Sequence, residues 1–321
     1  ALAIKPIPVK LAAVTVLYFV VFGLIADCIN LILRRAAPEL WLWGALYDSG
    51  ALVLLISAIL LLYGYLHGKR VYAKRYRLPV SVPLPDGGLR IAMLSDVHMG
   101  LSVDAEKLRR VCKQIVDERP DVFFLVGDLC DDQTAPEDML AACELVGGIK
   151  PRYGTFFVYG NHDLGGHGPA LRYTPDAFRR ALTQAGVTIL DDACAEAGAF
   201  TVAGRRDDWL ANSIGGRIPL NELLIGADAS KPVILLDHQP LDTEQAAQCG
   251  VMLQLSGHTH AGQVWPASMA GRLLQPMGDV FYGHKRVGGC HVVVSSGLGC
   301  RRTTLRSGSN AEYVLIDLFS E

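Results

Sequence analysis

Residues 11–33 read LAAVTVLYFVVFGLIADCINLIL, with Asp27 the only charged side chain before Arg34 and Arg35 end the run. At about 1.5 Å per helical residue this is enough to cross a hydrocarbon core of about 30 Å. A secretory leader would have a shorter apolar core and a small-residue cleavage site, whereas here a second apolar run follows at residues 50–66. That run extends backward through Trp41, Trp43 and Tyr47, which suit an interfacial belt. Two transmembrane helices, at about 11–33 and 45–66, are therefore expected within a membrane segment of residues 1–68. Asp27 marks either an intramembrane functional group or a side chain that reaches the interface or a neighbouring helix.

Lys69, Arg70, Lys74, Arg75 and Arg77 come next, with no acid between Lys69 and Pro85. The positive-inside tendency places this flank, and the globular part after it, on the cytoplasmic side, although Arg34 and Arg35 pull the other way. Beside a bilayer, these cations could attract anionic lipid at about 1 kcal/mol each; a plain stop-transfer anchor is the simpler reading. Residues 69–88, ending LPVSVPLPDGG, are expected to be a basic, proline-rich linker, and residues 89–321 the catalytic-sized domain. Half of the 321 residues are hydrophobic and 19% are charged, which excludes a disordered chain. With 30 Lys+Arg against 32 Asp+Glu the formal net charge is -2, so no nucleic-acid partner is expected. The eight cysteines are scattered without a C-x-x-C pair, which points to reduced, mostly buried thiols rather than a disulfide framework or a thiolate zinc cluster.

In residues 89–321 short apolar runs alternate with amphipathic segments: LRIAMLSD, DAEKLRRVCKQIVDE, DVFFLVGD, PEDMLAACELVGG, TFFVYGNHD. The order is βαβαβ. Further apolar runs at 200–203, 233–236, 251–255, 291–294 and 313–316 favour a two-layered sheet core flanked by helices over a single open sheet. Asp96 and His98 follow the first strand, Asp128 the second, and Asn161 and His162 the third; His238 follows a later strand, and His258 and His260 another. Open α/β folds place ligand sites at such carboxyl ends, so these groups should converge on one rim. Imidazoles mixed with carboxylates suit Zn²⁺, Mn²⁺ or Fe, whereas an all-oxygen calcium site would not recruit so many histidines.

The strings DVHMG, VGDLCD, YGNHD, LDHQP and SGHTH together resemble the calcineurin-like metallophosphoesterases, whose pattern D-x-H, G-D, G-N-H, H and G-H-x-H is complete here. Through LQLSGHTHAGQVWP and SSGLG the likeness looks closest to a bacterial membrane-anchored branch. The resemblance implies an α/β fold of two mixed β-sheets sandwiched by helices. It also implies two divalent ions (Mn, Zn or Fe), one on Asp96, His98, Asp128 and His260, the other on Asp128, Asn161, His238 and His258. Two such ions with two carboxylates and a bridging hydroxide would leave about +1, complementary to a singly negative phosphodiester or one arm of a pyrophosphate. His162 resembles the family's non-ligand catalytic imidazole, which would protonate the leaving oxygen.

Asp131 is a candidate to orient His162, with a helix-start cap as the other reading and Asp132 a competitor for either role. For substrate contacts Arg306 is the first candidate, ahead of Arg301, Arg302, Arg205 and Arg206, with His167 a further one. Asp163 and Asp207 match positions that brace loops. Asp132-Gln133 replaces the Asp-Arg-Gly of phosphoprotein phosphatases, which disfavours that class. The expected activity is hydrolysis of a phosphodiester or pyrophosphate at the cytoplasmic face of a bacterial inner membrane. A UDP-2,3-diacylglucosamine pyrophosphatase-like reaction is its most specific form, with the bilayer and a lipid-linked pyrophosphate as partners. The alternatives are a phosphodiesterase for soluble nucleotides and an inactive metal-binding interaction module.

Overall fold

The computed structural model describes residues 9–37, 39–165, 171–214, 216–274 and 278–321. The chain opens with α1 (Val9–Ala36), α2 (Trp41–Asp48) and α3 (Ala51–Gly68). The apolar stretches Leu11–Ala36 and Ala51–Gly68 are long and apolar enough to cross a membrane. The second is shorter than the expected 45–66 helix at its front end, because Gly50 adopts a left-handed backbone (φ 66°) and separates α2 from α3. Asp27 reaches the neighbouring helix: Tyr47 donates its hydroxyl hydrogen to it at 2.7 Å, and Trp43 Nε1 donates to Asn30 one turn away.

Where a linker was expected, Val71–Val80 forms β1, hydrogen-bonded in parallel to the last strand. Its many Lys and Arg side chains hide the strand pattern, yet they are what a sheet edge carries to discourage further pairing, and Pro79 is tolerated there. Only Leu78 and Val80 of this strand are fully buried.

The remaining elements in chain order are β2 (Gly88–Leu94), α4 (Ala105–Asp117), β3 (Val122–Val126), α5 (Pro136–Gly147), β4 (Thr155–Val158), α6 (Pro175–Gln184), β5 (Val187–Ile189), β6 (Ala193–Ala197), β7 (Phe200–Gly204), α7 (Asp208–Ile214), α8 (Leu220–Leu223), β8 (Val233–Leu236), α9 (Thr243–Gln248), β9 (Val251–Ser256), α10 (Ala267–Leu274), β10 (Gly283–Val287), β11 (Cys290–Val294) and β12 (Ala311–Ser320). They build two mixed six-stranded sheets, ordered β1-β12-β2-β3-β4-β5 and β10-β11-β9-β8-β7-β6. In the first, β2 to β5 run parallel and β12 is antiparallel to β2; in the second, β11, β9, β8 and β7 run parallel between antiparallel edges.

Period-two alternation explains why the central strands read as unbroken apolar runs. Ile91, Met93, Phe124 and Val126 pack into the layer between the sheets with Ile234, Leu236 and Leu255. Their neighbours Ala92, Leu94, Phe123 and Leu125 face the other way, onto Leu108, Ile115 and Met139 of α4 and α5. On the far side of the second sheet, Leu235 and Val292 meet Leu220 of α8 and Ala246 of α9. The two sheets are thus covered by helices on both outer faces, and their parallel strands release their carboxyl ends at the same rim. The strands absent from the sequence reading, β5, β6 and β10, are short or carry polar alternation.

Candidate metal centre

Each expected ligand sits in the first residues after a strand. Asp96 and His98 follow β2, Asp128 follows β3, Asn161 and His162 follow β4, His238 follows β8, and His258 and His260 follow β9. Asp96, His98, Asp128, His258 and His260 all have positive φ, between 47° and 68°. Non-glycine residues in that region carry strain, and strain concentrated on one rim marks a site whose surroundings over-determine it. The glycines between them permit the close approach: a Cβ on Gly160 would fall 2.2 Å from Asp128 Oδ1, and one on Gly257 2.3 Å from Asp96 Oδ2.

The loops bring the donors together. Ligand atoms of Asp96, His98 and His260 form one compact group and those of Asp96, Asp128 and His238 another, within 4.8 Å inside each group. Asp128 Oδ2 stands 3.3 Å from His238 Nε2 and 3.7 Å from His98 Nε2, so this carboxylate borders both groups. Asn161 Oδ1 lies 2.8 Å from His258 Nδ1. All but His258 of these seven residues are buried.

The donor set fits cations. His238 gives its Nδ1 hydrogen to the Val126 carbonyl at 2.8 Å, so its Nε2 can face Asp128 only across a proton or a cation. His98 and His260 bring their Nε2 atoms within 3.2 Å of each other, close enough for one proton or one cation to join them. Burial and then the neighbouring His238 push the His258 imidazole down to about 3, and burial, His98 and Arg306 push His260 well below its ordinary value. Both are therefore neutral, the form in which imidazole ligates a metal. Burial opposes ionisation of Asp128, but His238 and the other imidazoles around it hold that carboxyl well below the usual range.

Braces surround the donors. The Asp163 carboxylate accepts from the backbone nitrogens of Asp128 and Gly160 at 2.8 Å and of Cys130 at 3.0 Å, locking the loop after β3 to the loop after β4. Burial, with the Asp128 charge, lifts Asp163 to about 7. Asp207 accepts from Trp209 and Leu210 nitrogens and from Gln239 Nε2. Asp131 does not cap α5, whose N-cap is Ala135; its Oδ2 lies 3.3 Å from His98 Nδ1. That contact makes His98 a partner of Asp131. The His162 ring stands edge-on to His98 with centroids 5.2 Å apart, and its backbone nitrogen donates to Asp128 Oδ1.

The arginines divide differently from the expectation. Arg306 is fully buried, with its guanidinium donating to the carbonyls of Ser296, Gly299 and Asn310 and lying 3.4 Å from His260 Nδ1. It is a buried brace behind a candidate ligand, held through its two terminal nitrogens. Arg205 pairs with Asp242 and Asp237, and Arg206 with Asp191. Arg301 and Arg302 instead line a cavity of about 590 Å³ that also includes His258, His260, Phe281 and the helix residues Ala13 and Val14. His167 lies outside the described residues. Sequence reasoning passed over Gln263, whose Nε2 donates to the carbonyls of Arg301, Thr303 and Leu305 and holds this loop; its place inside SGHTHAGQVWP was the available signal.

Acids and imidazoles gathered at the strand ends of a helix-covered double sheet define a metal-dependent phosphoester hydrolase. The chain belongs to the calcineurin-like phosphoesterases, whose family model matches residues 89–262. The cofactor of that family is a dinuclear divalent metal centre. The chain is 31% identical to a zebrafish (Danio rerio) transmembrane protein with metallophosphoesterase domain, over 95% of this chain and 71% of that protein. The bovine (Bos taurus) protein of the same name is 32% identical over 82% of this chain and 60% of its own length. An uncharacterized metallophosphoesterase of Bacillus subtilis is 29% identical over 74% of this chain and 82% of its own length. The relatives are both vertebrate and bacterial, and the apolar helices together with the transmembrane names of the first two make this a membrane protein.

Proposed function

We propose that the rim holds two divalent ions, one on Asp96, His98, Asp128 and His260 and the other on Asp128, Asn161, His238 and His258. In this reading the chain hydrolyses a phosphodiester or pyrophosphate of a lipid-linked substrate at the cytoplasmic face of a membrane. The observation that carries it is the convergence of Asp96, Asp128, His98, His238 and His260 from two sheets into two overlapping donor groups. When bound, two divalent ions supply Lewis acidity at the phosphoryl oxygens and lower the pKa of water.

The chain's own groups do the rest. Asp128, bordering both groups, fixes the spacing of the two halves of the site. Asp131 holds the His98 ring through Nδ1, leaving Nε2 for ligation. His162 supplies the proton to the leaving oxygen as the bond from phosphorus to that oxygen breaks and water oxygen becomes bonded to phosphorus; the proton released by water restores His162. Arg301, which lines the cavity together with His258 and His260, is placed to hold a phosphate oxygen.

The test is chelator-stripped, then metal-reconstituted, full chain in bilayers, supplied with bis-p-nitrophenyl phosphate and with a UDP-linked diacyl sugar. Restored cleavage proportional to metal, with faster turnover of the acyl sugar, is expected. Metal-loaded protein that cleaves neither compound overturns the reaction, and preference for the soluble diester overturns the lipid-linked substrate.

A further inference from the structure

The apolar helices are not a remote tether. Tyr18 of α1 is fully buried, its hydroxyl 2.5 Å from Ser307 Oγ, and Phe22 stacks on Trp265 at 5.5 Å. Arg306 N donates to the Gly64 carbonyl of α3 at 3.0 Å, so the loop that backs His260 is fastened to the second apolar helix as well. From Ala13 to Phe22 the catalytic domain lies alongside α1 for about 14 Å of helix. That segment belongs to the same apolar run that would cross the bilayer, and a leaflet's hydrocarbon is about 15 Å deep. With that run across a bilayer, the side of the domain carrying α10 would lie at the depth of the near leaflet.

What lies on that side is a groove. The cavity of about 590 Å³ is lined by His258, His260 and Arg301 together with Ala13 and Val14 of α1 and Ala267 and Ala270 of α10. Its size falls in the range of ligand pockets. Along its outer rim α10 presents Met269, Leu273 and Leu274 at 55%, 79% and 75% exposure, a surface that water would not favour and lipid would. The outer face of α1, with Val16 at 60% and Val20 at 53%, continues it.

We propose that this groove is an acyl-chain subsite, through which the hydrocarbon tail of the amphiphilic substrate enters sideways from the leaflet while its phosphate comes to rest between Arg301 and the metal-ligand histidines. The occupant is the substrate's own tail. Three things converge on it: the lining combines apolar residues of the membrane helix, the cations Arg301 and Arg302, and the candidate ligands His258 and His260, the chemistry that a tail and its phosphate head require. Small side chains at Ala13, Ala267 and Ala270 keep the passage wide. This inference rests on the phosphoesterase reading of the rim and adds where the apolar part of the substrate is held.

The experiment measures kcat/KM of the full chain, metal-loaded in detergent micelles, for p-nitrophenyl alkyl phosphodiesters from ethyl to dodecyl. Buried methylenes favour binding, so even partial burial of the six added from ethyl to octyl should give a rise of at least about tenfold. In Ala13→Trp and Ala270→Trp, whose side chains would fill the groove from α1 and from α10, the rise should shrink at least threefold. A flat series in the unmodified protein overturns the subsite, as does a rise that persists undiminished in both variants, which would reflect partition into the micelle. If even the ethyl diester is left intact, the phosphoesterase reading itself falls and takes the subsite with it.

A second measurement needs no variant. A phosphatidyl probe with a diazirine at its acyl terminus, in vesicles, should label α10 and the stretch around Ala13 and Val14. Labels confined to the outward faces of α1 and α3 overturn the proposal. Labels in the groove together with a flat kinetic series show a resident lipid and overturn it too.

Discussion

From the first sheet come Asp96, His98, Asp128 and Asn161, and from the second come His238, His258 and His260. The first therefore brings both carboxylates, and the second only imidazoles. Each compact donor group draws on both sheets, with His260 joining Asp96 and His98 in one and His238 joining Asp96 and Asp128 in the other. The two halves of the sandwich are alike in strand number and in apolar packing, yet neither holds a complete set of donors. An ion at this rim would be a staple between the sheets as well as a reagent, so occupancy and stability should move together.

Substitutions and chelation can break or sharpen that contrast. The largest effect is expected from the acidic half: Asp128→Asn should lower turnover on the order of 10³-fold and release metal, measured as rate and as metal content of the same preparation. Full activity with both ions retained would falsify the shared role given to Asp128. His162→Ala should slow cleavage about 10²-fold while metal content stays unchanged, separating a proton donor from a ligand.

Removing metal by chelation should destabilise the sandwich by about 2.7 kcal/mol for each ion normally present at 100 times its dissociation constant, read as a lower Tm that metal restores. An unchanged Tm would mean that the ions do not tie the sheets together. Asp131→Asn should weaken metal affinity roughly tenfold through the His98 ring, visible in a metal titration. The smallest effect belongs to the seam with the apolar helices: Tyr18→Phe loses one hydrogen bond to Ser307 and should cost about 1 kcal/mol of stability without altering metal content.

Much of the site was legible because its residues follow strands directly. A strand's carboxyl end and its next few residues are fixed by the sheet, so DVHMG, GDLCD, GNHD, DHQP and GHTH announce a rim without any knowledge of distances. The positively charged β1 was not legible, because an edge strand paired on one side needs few buried residues and its Lys and Arg imitate a membrane flank. Within the basic loop Arg306 was expected to contact substrate, and only the fold shows that it is the buried one while Arg301 lines the cavity.

The sequence by itself determined the class of chemistry, the order of the strands that carry it and the two apolar helices, because periodicity and residue type act locally along the chain. Tertiary structure decided which acid braces which imidazole, as with Asp131 and His98, which arginine meets the cavity, and that α1 forms part of its wall. Those outcomes depend on contacts between segments far apart in sequence, such as Tyr18 with Ser307 and Gly64 with Arg306. Such contacts are selected by packing of the whole chain, which local propensity does not encode.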